Sequence, residues 1–409
     1  MAAGSSATTQ DKLLRRVYER RWRRQFSSKS ILLQTLARNE RSFAEGEHVS
    51  VAAHTNLGGA VRWSKTNLLP TPDHEHVDRF TFNYRMLSTI IEIDGTFIDR
   101  AKSKGSAELQ PLTWELDSKL RLARLTKNWH LYRDGSALLA TPAGATAANT
   151  FTVDSVAGLR TGMKVDLLKQ TTGAPDAGGF VSGYISINKD GNVVTIQAPT
   201  TMADYNDVQS NPTDYGVYLA GSYCSAPFGL AAIIDTGNPP ANVGNYGGLD
   251  RTDNNNSWAR GVVHDAGGTP RVPTNLLMQN VIDDIEANSD GEIDEILCPP
   301  SLWSAIVNDL VDQKRYGTLM TLNGWATAIK WGDRYVVRDH HCQPDRMYFL
   351  DRSTFVIYQN DEGKWMDKDG AILSRKEGAV AYIAAWYQMM QLVCYAPGAN
   401  GVLADLKQS

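Results

Sequence analysis

The stretch that most constrains this chain of 409 residues runs from residue 47 to residue 100. Val49 and Val51 alternate with polar neighbours, and Asn56-Leu57-Gly58-Gly59 supplies turn residues. Phe80, Phe82 and Tyr84 then alternate with Thr81 and Asn83, ahead of a β-prone run to Ile93. Period-two alternation predicts two long strands. Between them, Arg62 to His76 is polar and carries Pro70 and Pro72, which gives an extended tip with little to bury. Such a ribbon buries little against itself, and a long exposed ribbon invites association unless a partner covers it. A fold for this chain must therefore supply a second surface for residues 47–100.

The segment before the ribbon has the same need. From Lys12 to Arg41 stand ten basic residues against Glu19 and Glu40, an excess of eight, although the whole chain carries a net charge of −4. That asymmetry marks an arm that lies on something negative, either nucleic acid or an acidic face of another copy. The alternative is a solvated basic helix face. Leu13, Leu14, Val17, Tyr18, Trp22 and Phe26 recur at helical spacing, as do Ile31, Leu32, Thr35 and Leu36. These stripes are too thin to fold alone and must dock elsewhere.

Further along, Leu109, Leu112, Leu116, Leu120 and Ala123 predict one face of a helix over 106–132, with Glu115, Asp117, Lys119, Arg121 and Arg124 on its other faces. Ser106 is its N-cap candidate and Gly135 its end. Residues 149–221 read as β-rich, with Asn188-Lys189-Asp190-Gly191-Asn192 turning Tyr184–Ile187 into Val193–Ile196 as a hairpin. Residues 226–270 are rich in Gly, Asn and Pro and read as a connector. Leu277, Val281 and Ile285 predict a helix, and a second follows Pro299-Pro300 from Ser301 to Val311. Strands are expected at Arg334–Arg338 and Met347–Gln359. The run Ala379 to Tyr395 is a buried strand pair or one long strand, with a helix not excluded by period alone.

Composition narrows the function. Hydrophobic residues make up 42% and charged residues 21%, and no apolar run approaches the roughly 18 residues of a membrane span. The start of the chain has no apolar core of a secretory signal, and Cys224, Cys298, Cys342 and Cys394 stand singly, which predicts reduced core cysteines and an intracellular origin. No phosphate-binding G-x-x-x-x-G-K-[ST] loop, G-x-S-x-G elbow or H-E-x-x-H pair occurs. Two clusters offer metal-ligand side chains, Asp73-His74-Glu75-His76 and Asp339-His340-His341-Cys342, but adjacent residues point apart, so each reads first as a polar turn. Asp283/Asp284 and Asp290/Glu292 read as capping or solvated carboxylates. No catalytic residue, metal or cofactor is assigned.

The order of elements then becomes specific. A basic arm precedes a hairpin with Leu68-Leu69-Pro70, strands, a long helix, Arg133-Asp134-Gly135 and a β-rich module. Gly229-Leu230, Asp235-Thr236-Gly237, Tyr246-Gly247-Gly248-Leu249-Asp250-Arg251 and Trp258 follow, then two helices around Cys298-Pro299-Pro300, and finally Tyr395-Ala396-Pro397-Gly398-Ala399-Asn400. This order resembles the major capsid proteins of tailed phages with the Hong Kong ninety-seven (HK97-like) fold, over nearly the whole chain. The resemblance implies an α+β fold with an N-terminal arm (1–46), an extended β-hairpin loop (47–100), a spine helix opening the peripheral domain (101–148), a β-rich insertion (149–225) and a connector (226–270). An axial domain (271–344), peripheral-domain strands (345–395) and a C-terminal axial segment (396–409) complete it.

The same resemblance implies a non-enzymatic shell subunit that assembles with copies of itself as hexamers and pentamers in the host cytoplasm, with portal, scaffold and cement proteins as partners. Packaged DNA would be touched without sequence preference, and the virion is the implied location. Candidate subunit contacts are Arg20, Trp22, Arg23, Arg24, Arg62, Trp63, Lys65, Leu68 and Pro70, because interface anchors favour aromatic and arginine side chains. Trp22 and Trp63 read equally as core residues. Some family members cross-link a loop lysine to a neighbour's asparagine, and Lys65 stands where such a lysine would. Two alternatives remain: an encapsulin-like cargo compartment, and a metal-dependent hydrolase built on the two His clusters.

Overall fold

The computed structural model describes residues 31–39, 48–56, 74–94, 109–147, 150–175, 183–197 except 189, 211–312, 319–322, 326–360, 363–367 and 374–408 except 379, with Val61, Trp63, Ser64, Lys65, Leu69 and Thr71 as single positions of the ribbon tip. Of the candidate contacts, Arg20, Trp22, Arg23, Arg24, Arg62, Leu68 and Pro70 lie outside the described residues, as does Ser106. The architecture is α+β: two large sheets, a third sheet of its own, and a two-stranded ribbon.

The first sheet is organised by one long strand, Ala381–Cys394. Arg85–Asp94 pairs with it antiparallel from Ala381 to Met390, and Phe355–Gln359 pairs with its end from Met390 to Cys394. The helix alternative for this run falls away, and so does the strand pair. From Ala381 to Met390 its residues alternate between a covered face and a partly exposed one, and both sets are largely apolar, a pattern that period alone could not assign.

The long helix, Leu109–His130, packs on one face of this sheet. Lys127 donates to Gln388 Oε1 at 3.2 Å, inside the interface. Leu120 and Ala123 are buried as expected, but so are Arg124, Lys127, Asn128 and His130. The sequence reading placed Arg124 on an outer face. It is covered because the last turns of the helix are enclosed on every side, by the sheet and by the β-rich module.

The second sheet has the order Val262–His264, Gly401–Leu403, Met347–Leu350, Glu295–Cys298, Arg334–Arg338, Ala326–Trp331 and Leu319–Leu322. Two helices flank it, Asn275–Asn288 and Pro300–Asp312, close to their expected bounds. Met278, Val281, Ile282 and Ile285 pack beneath Ile296, Val336, Met347 and Phe349. The chain changes sheets between Met347–Leu350 and Phe355–Gln359, through a single turn at Arg352–Thr354.

The third sheet runs Leu138–Ala140, Tyr215–Leu219, Lys164–Lys169, Gly183–Asn188, Val193–Gln197, Thr150–Val153 and Pro142–Ala147. Its two end strands are halves of one stretch of chain, joined at Thr141, so the sheet closes into a small barrel. The hairpin turn lies where the sequence puts it: Val193 pairs with Asn188, and Gly191 and Asn192 take positive φ of 95° and 54°. Two of the barrel's strands lie before residue 149, where the β-rich stretch begins in sequence. Phe151, Val165, Leu167, Ile185, Val194, Ile196 and Val217 fill the interior. Trp129 of the long helix joins them, donating to Leu138 O at 3.4 Å. Gly158 is the price of that fit, since a Cβ there would stand 2.7 Å from the Trp129 ring.

Candidate assembly surfaces

The ribbon pairs His48–Asn56 with His76–Asn83, Val49 opposite Phe82 and Val51 opposite Phe80. The predicted second strand is not continuous to Ile93. It breaks at Tyr84, and Arg85–Asp94 belongs to the first sheet. Nor does the ribbon base lack burial. Val49, Val51, Ala53, Phe80 and Phe82 form one apolar face that enters the main core. The alternation that made the strand legible also made it one-sided, and the chain's own connector supplies the cover.

That cover is built by Tyr246 to Arg251. The Tyr246 ring stands 5.6 Å from Phe80 and 5.0 Å from Phe82, both edge-on, with Phe228 at 5.4 Å and Trp258 at 5.0 Å from Phe80. Such aromatic geometry contributes beyond simple burial. Gly247 takes φ of 62°, and a Cβ there would lie 2.2 Å from Phe80, so glycine is required on both counts. The Tyr246 hydroxyl accepts from Cys394 N at 2.8 Å. Arg251, fully buried, lies 4.5 Å over the Tyr246 ring and donates to Ala232 O at 2.8 Å. Burial pulls its guanidinium below the usual arginine range, opposed by the nearby Tyr246, Asp235 and Cys394. The Tyr-Gly-Gly-Leu-Asp-Arg stretch is thus a clasp that holds the ribbon at its root.

Beyond the clasp the described positions of the ribbon tip face solvent. Val61, Leu69 and Val77 are 89%, 88% and 56% exposed, and Trp63 is 102% exposed. The core alternative for Trp63 is therefore excluded. Lys65 is exposed beside it. A second apolar surface escaped sequence reasoning. Met86 and Ile90, 59% and 63% exposed, lie on the outer face of the first sheet, opposite Met389 and Ala385. The long helix covers the other face, where Gln388 pairs with Leu87. The signal was present as the alternation of Met86, Ser88 and Ile90 with Leu87, Thr89 and Ile91, but both sets are largely apolar and only packing separates them.

Of the polar clusters, Asp339-His340-His341-Cys342 lies at a turn. Asp339 is buried, accepting from the Tyr132 hydroxyl and from His341 N, each at 2.9 Å. Burial pushes the Cys342 thiol far up and the His341 imidazole down. His74, Glu75 and His76 are exposed, and Asp73 lies outside the described residues. Among the described residues, no three His, Cys, Asp or Glu side chains converge as a metal requires. Asp283 accepts from Gln279 at 2.6 Å and Asp284 pairs with His264 at 2.6 Å on an exposed helix face. All four cysteines are buried and free. No described helix is long and apolar enough to cross a membrane.

No protein-family model matches this sequence, and no curated protein does. Solved structures do. The chain is similar to the capsid chain of cyanophage A-1(L), at 13% identity over 93% of this chain and 94% of that one, with a TM-score of 0.56. A capsid chain of a native GTA particle aligns at 11% identity over 91% and 89%, with a TM-score of 0.47. The SrpI encapsulin of Synechococcus elongatus aligns at 9% over 92% and 88%, with a TM-score of 0.45. The cyanophage alignment covers nearly the whole chain at a TM-score above 0.5, and on that ground the chain has the phage-capsid fold.

Proposed function

We propose that this protein is the major capsid protein of a tailed phage, a subunit that closes an icosahedral shell around double-stranded DNA. The observation that carries the reading is a ribbon clasped at its root by Tyr246 and Arg251 while Val61, Trp63 and Leu69 at its tip face solvent. A chain that anchors one end of a ribbon so firmly and leaves the other apolar is built to place that tip on another molecule. The outer sheet face with Met86 and Ile90 is the apolar ground on which a neighbouring copy's tip would rest. A contact between two different surfaces of identical subunits is heterologous, and rotation closes it into rings.

In this reading residues 1–46 are the arm, 47–100 the extended loop, 101–148 the spine helix and start of the peripheral domain, and 149–225 the insertion. Residues 226–270 are the connector, 271–344 the axial domain, 345–395 the peripheral strands and 396–409 the closing axial segment. Lys65 and Trp63 contact a neighbour, as do Arg62, Leu68 and Pro70 of the same tip and Arg20, Trp22, Arg23 and Arg24 of the arm. Portal, scaffold and cement proteins are further partners, assembly proceeds in the host cytoplasm, and the role is structural with no catalytic step. DNA contact by the arm is independent of sequence and weakens steeply with salt.

Negative-stain microscopy of the protein expressed alone tests the reading. Closed shells of uniform diameter are expected, and their contents separate a genome container from a cargo compartment. A chain that stays monomeric both alone and with a co-expressed scaffold would overturn it.

A further inference from the structure

Residues 31–39 form a strap across the junction of the two large sheets. The helix Ile31–Thr35 and the residue after it bury Leu32, Leu33 and Leu36 in the main core, and Ala37–Asn39 adds a parallel strand beside Phe355–Gln359. Arg38 ties the two parts together, donating to Leu33 O at 2.8 Å. Beneath the strap lies Glu295, the first residue of a strand in the other sheet, 2% exposed.

Neither Glu295 carboxylate oxygen has a hydrogen-bond partner. The groups that face it are Asp294 beside it, Arg352 from the turn between the sheets, Asp339 from the end of Arg334–Arg338, Tyr132 from the end of the long helix, and Thr35 from the strap. Arg352 is committed elsewhere, its Nε standing 2.7 Å from Asp294 and 3.8 Å from Glu295. Tyr132 gives its hydroxyl to Asp339. The Thr35 hydroxyl reaches Leu32 O at 3.3 Å and also faces Glu295, where it favours the ionised form. A buried carboxyl with two acidic neighbours, whose nearest cation is held more closely by one of them, is stable in its neutral form.

We propose that closure of the strap is proton-linked: residues 31–39 seat on the neutral Glu295 carboxyl and are released when it ionises. Uncovered, Glu295 regains water and titrates as an ordinary carboxylate, so closing takes up a proton. Burial, with Asp294 and Asp339 adding and Arg352 and Thr35 opposing, pushes the covered carboxyl up to about 7. The strap's stabilisation is complete below the ordinary carboxylate range and is lost as pH rises through about 7. The strap is also the tether of the basic segment that begins at Lys12, so its release changes where those charges reach. The coupling does not depend on whether the chain builds shells.

Hydrogen exchange of the full chain between about pH 5 and pH 9 tests it, read at the amides of residues 36–39 and corrected for intrinsic exchange. The opening constant should rise toward tenfold per pH unit from about pH 5 to about pH 7 and level off above it, and Glu295→Gln should remove that slope. Thr35→Val keeps the strap's shape but removes a group that favours ionisation, so the levelling-off should move to higher pH. Protection that ignores pH in the wild type, or a slope that survives Glu295→Gln, overturns the proposal. If Glu295→Gln does not fold, the levelling-off point of Thr35→Val decides, and a point that stays in place overturns it.

Discussion

The barrel of residues 138–219 and the ribbon of residues 48–83 are both antiparallel β-structure with alternating apolar residues, yet they solve opposite problems. The barrel curls on itself until its two end strands are consecutive in the chain, and its apolar face points inward around Phe151, Val165 and Ile196. The ribbon stays open, and only its root is covered, by Tyr246 and its neighbours. Such a module fills most of its own core, and its host reaches in through Trp129. An open ribbon leaves part of its apolar surface for another molecule. The difference lies in how many strands share the face, since two strands cannot enclose a core by themselves.

The sharpest way to break this comparison is at the ribbon's root. Phe82→Ala removes a fully buried ring from a packed aromatic cluster and is expected to cost about 3–5 kcal/mol, read by chemical denaturation. The same substitution should leave hydrogen-exchange protection inside the barrel unchanged. Equal loss of protection in both regions would show that root and barrel unfold as one unit, and that the contrast drawn here is false.

The helix shared by barrel and sheet gives the next largest effect, through pH. Burial pushes the His130 imidazole down from 6.5 to about 4, with Arg133 adding and Asp134 opposing. The folded state therefore holds His130 neutral while the unfolded chain binds a proton below about 6.5. Stability should fall as pH drops from about 6.5 to about 4, by up to about 3 kcal/mol in all. His130→Gln should remove this fall, read as the difference in thermal stability between wild type and variant, because Glu295 contributes in the opposite sense over the same range. A wild-type-minus-variant difference that does not change across that window would mean that His130 reaches water.

Smaller and more local effects follow from two glycines. Gly247→Ala places a methyl group against Phe80 at a backbone angle that favours glycine, and should cost about 1–3 kcal/mol, with protection lost along 76–83. Gly158→Ala presses on Trp129 and should cost a similar amount or less, with protection lost in the barrel instead. If each lesion loosens the other region, the clasp and the barrel plug are one device and not two.

How much of this was legible in sequence depends on where each signal originates. The turn at residues 188–192, the helix over 275–288 and the helix after Pro299-Pro300 carry their own punctuation, and all three lie near their expected positions. The break at Tyr84 does not, because the residues on both sides alternate in the same way and only the change of partner strand ends the ribbon. Burial of Arg124, Lys127 and His130 was equally invisible, since helix patterning assumes one covered face. The stripe of Leu32, Thr35 and Leu36 was read correctly as needing a surface, but sequence could not say that the surface belongs to the same chain. Of the candidate contacts, those the structure describes, Trp63 and Lys65, are exposed. The Met86 and Ile90 face became visible only once the helix had covered the other side.

The smallest expected effect on folding is the most informative about the ribbon. Trp63 is fully exposed in the single chain, so Trp63→Ala removes nothing from the core and should change stability by less than about 0.5 kcal/mol. If the tip exists to seat on a neighbour, the same change should abolish or coarsen assembly seen by microscopy, with Ile90→Asp on the receiving face producing the same defect. Normal particles from both variants would leave the exposed tip without a partner, and the ribbon would then differ from the barrel only in being unfinished. A folded chain that no longer assembles would establish the reverse: the apolar surface withheld from the core at Val61, Trp63 and Leu69 is the surface that joins one copy to the next.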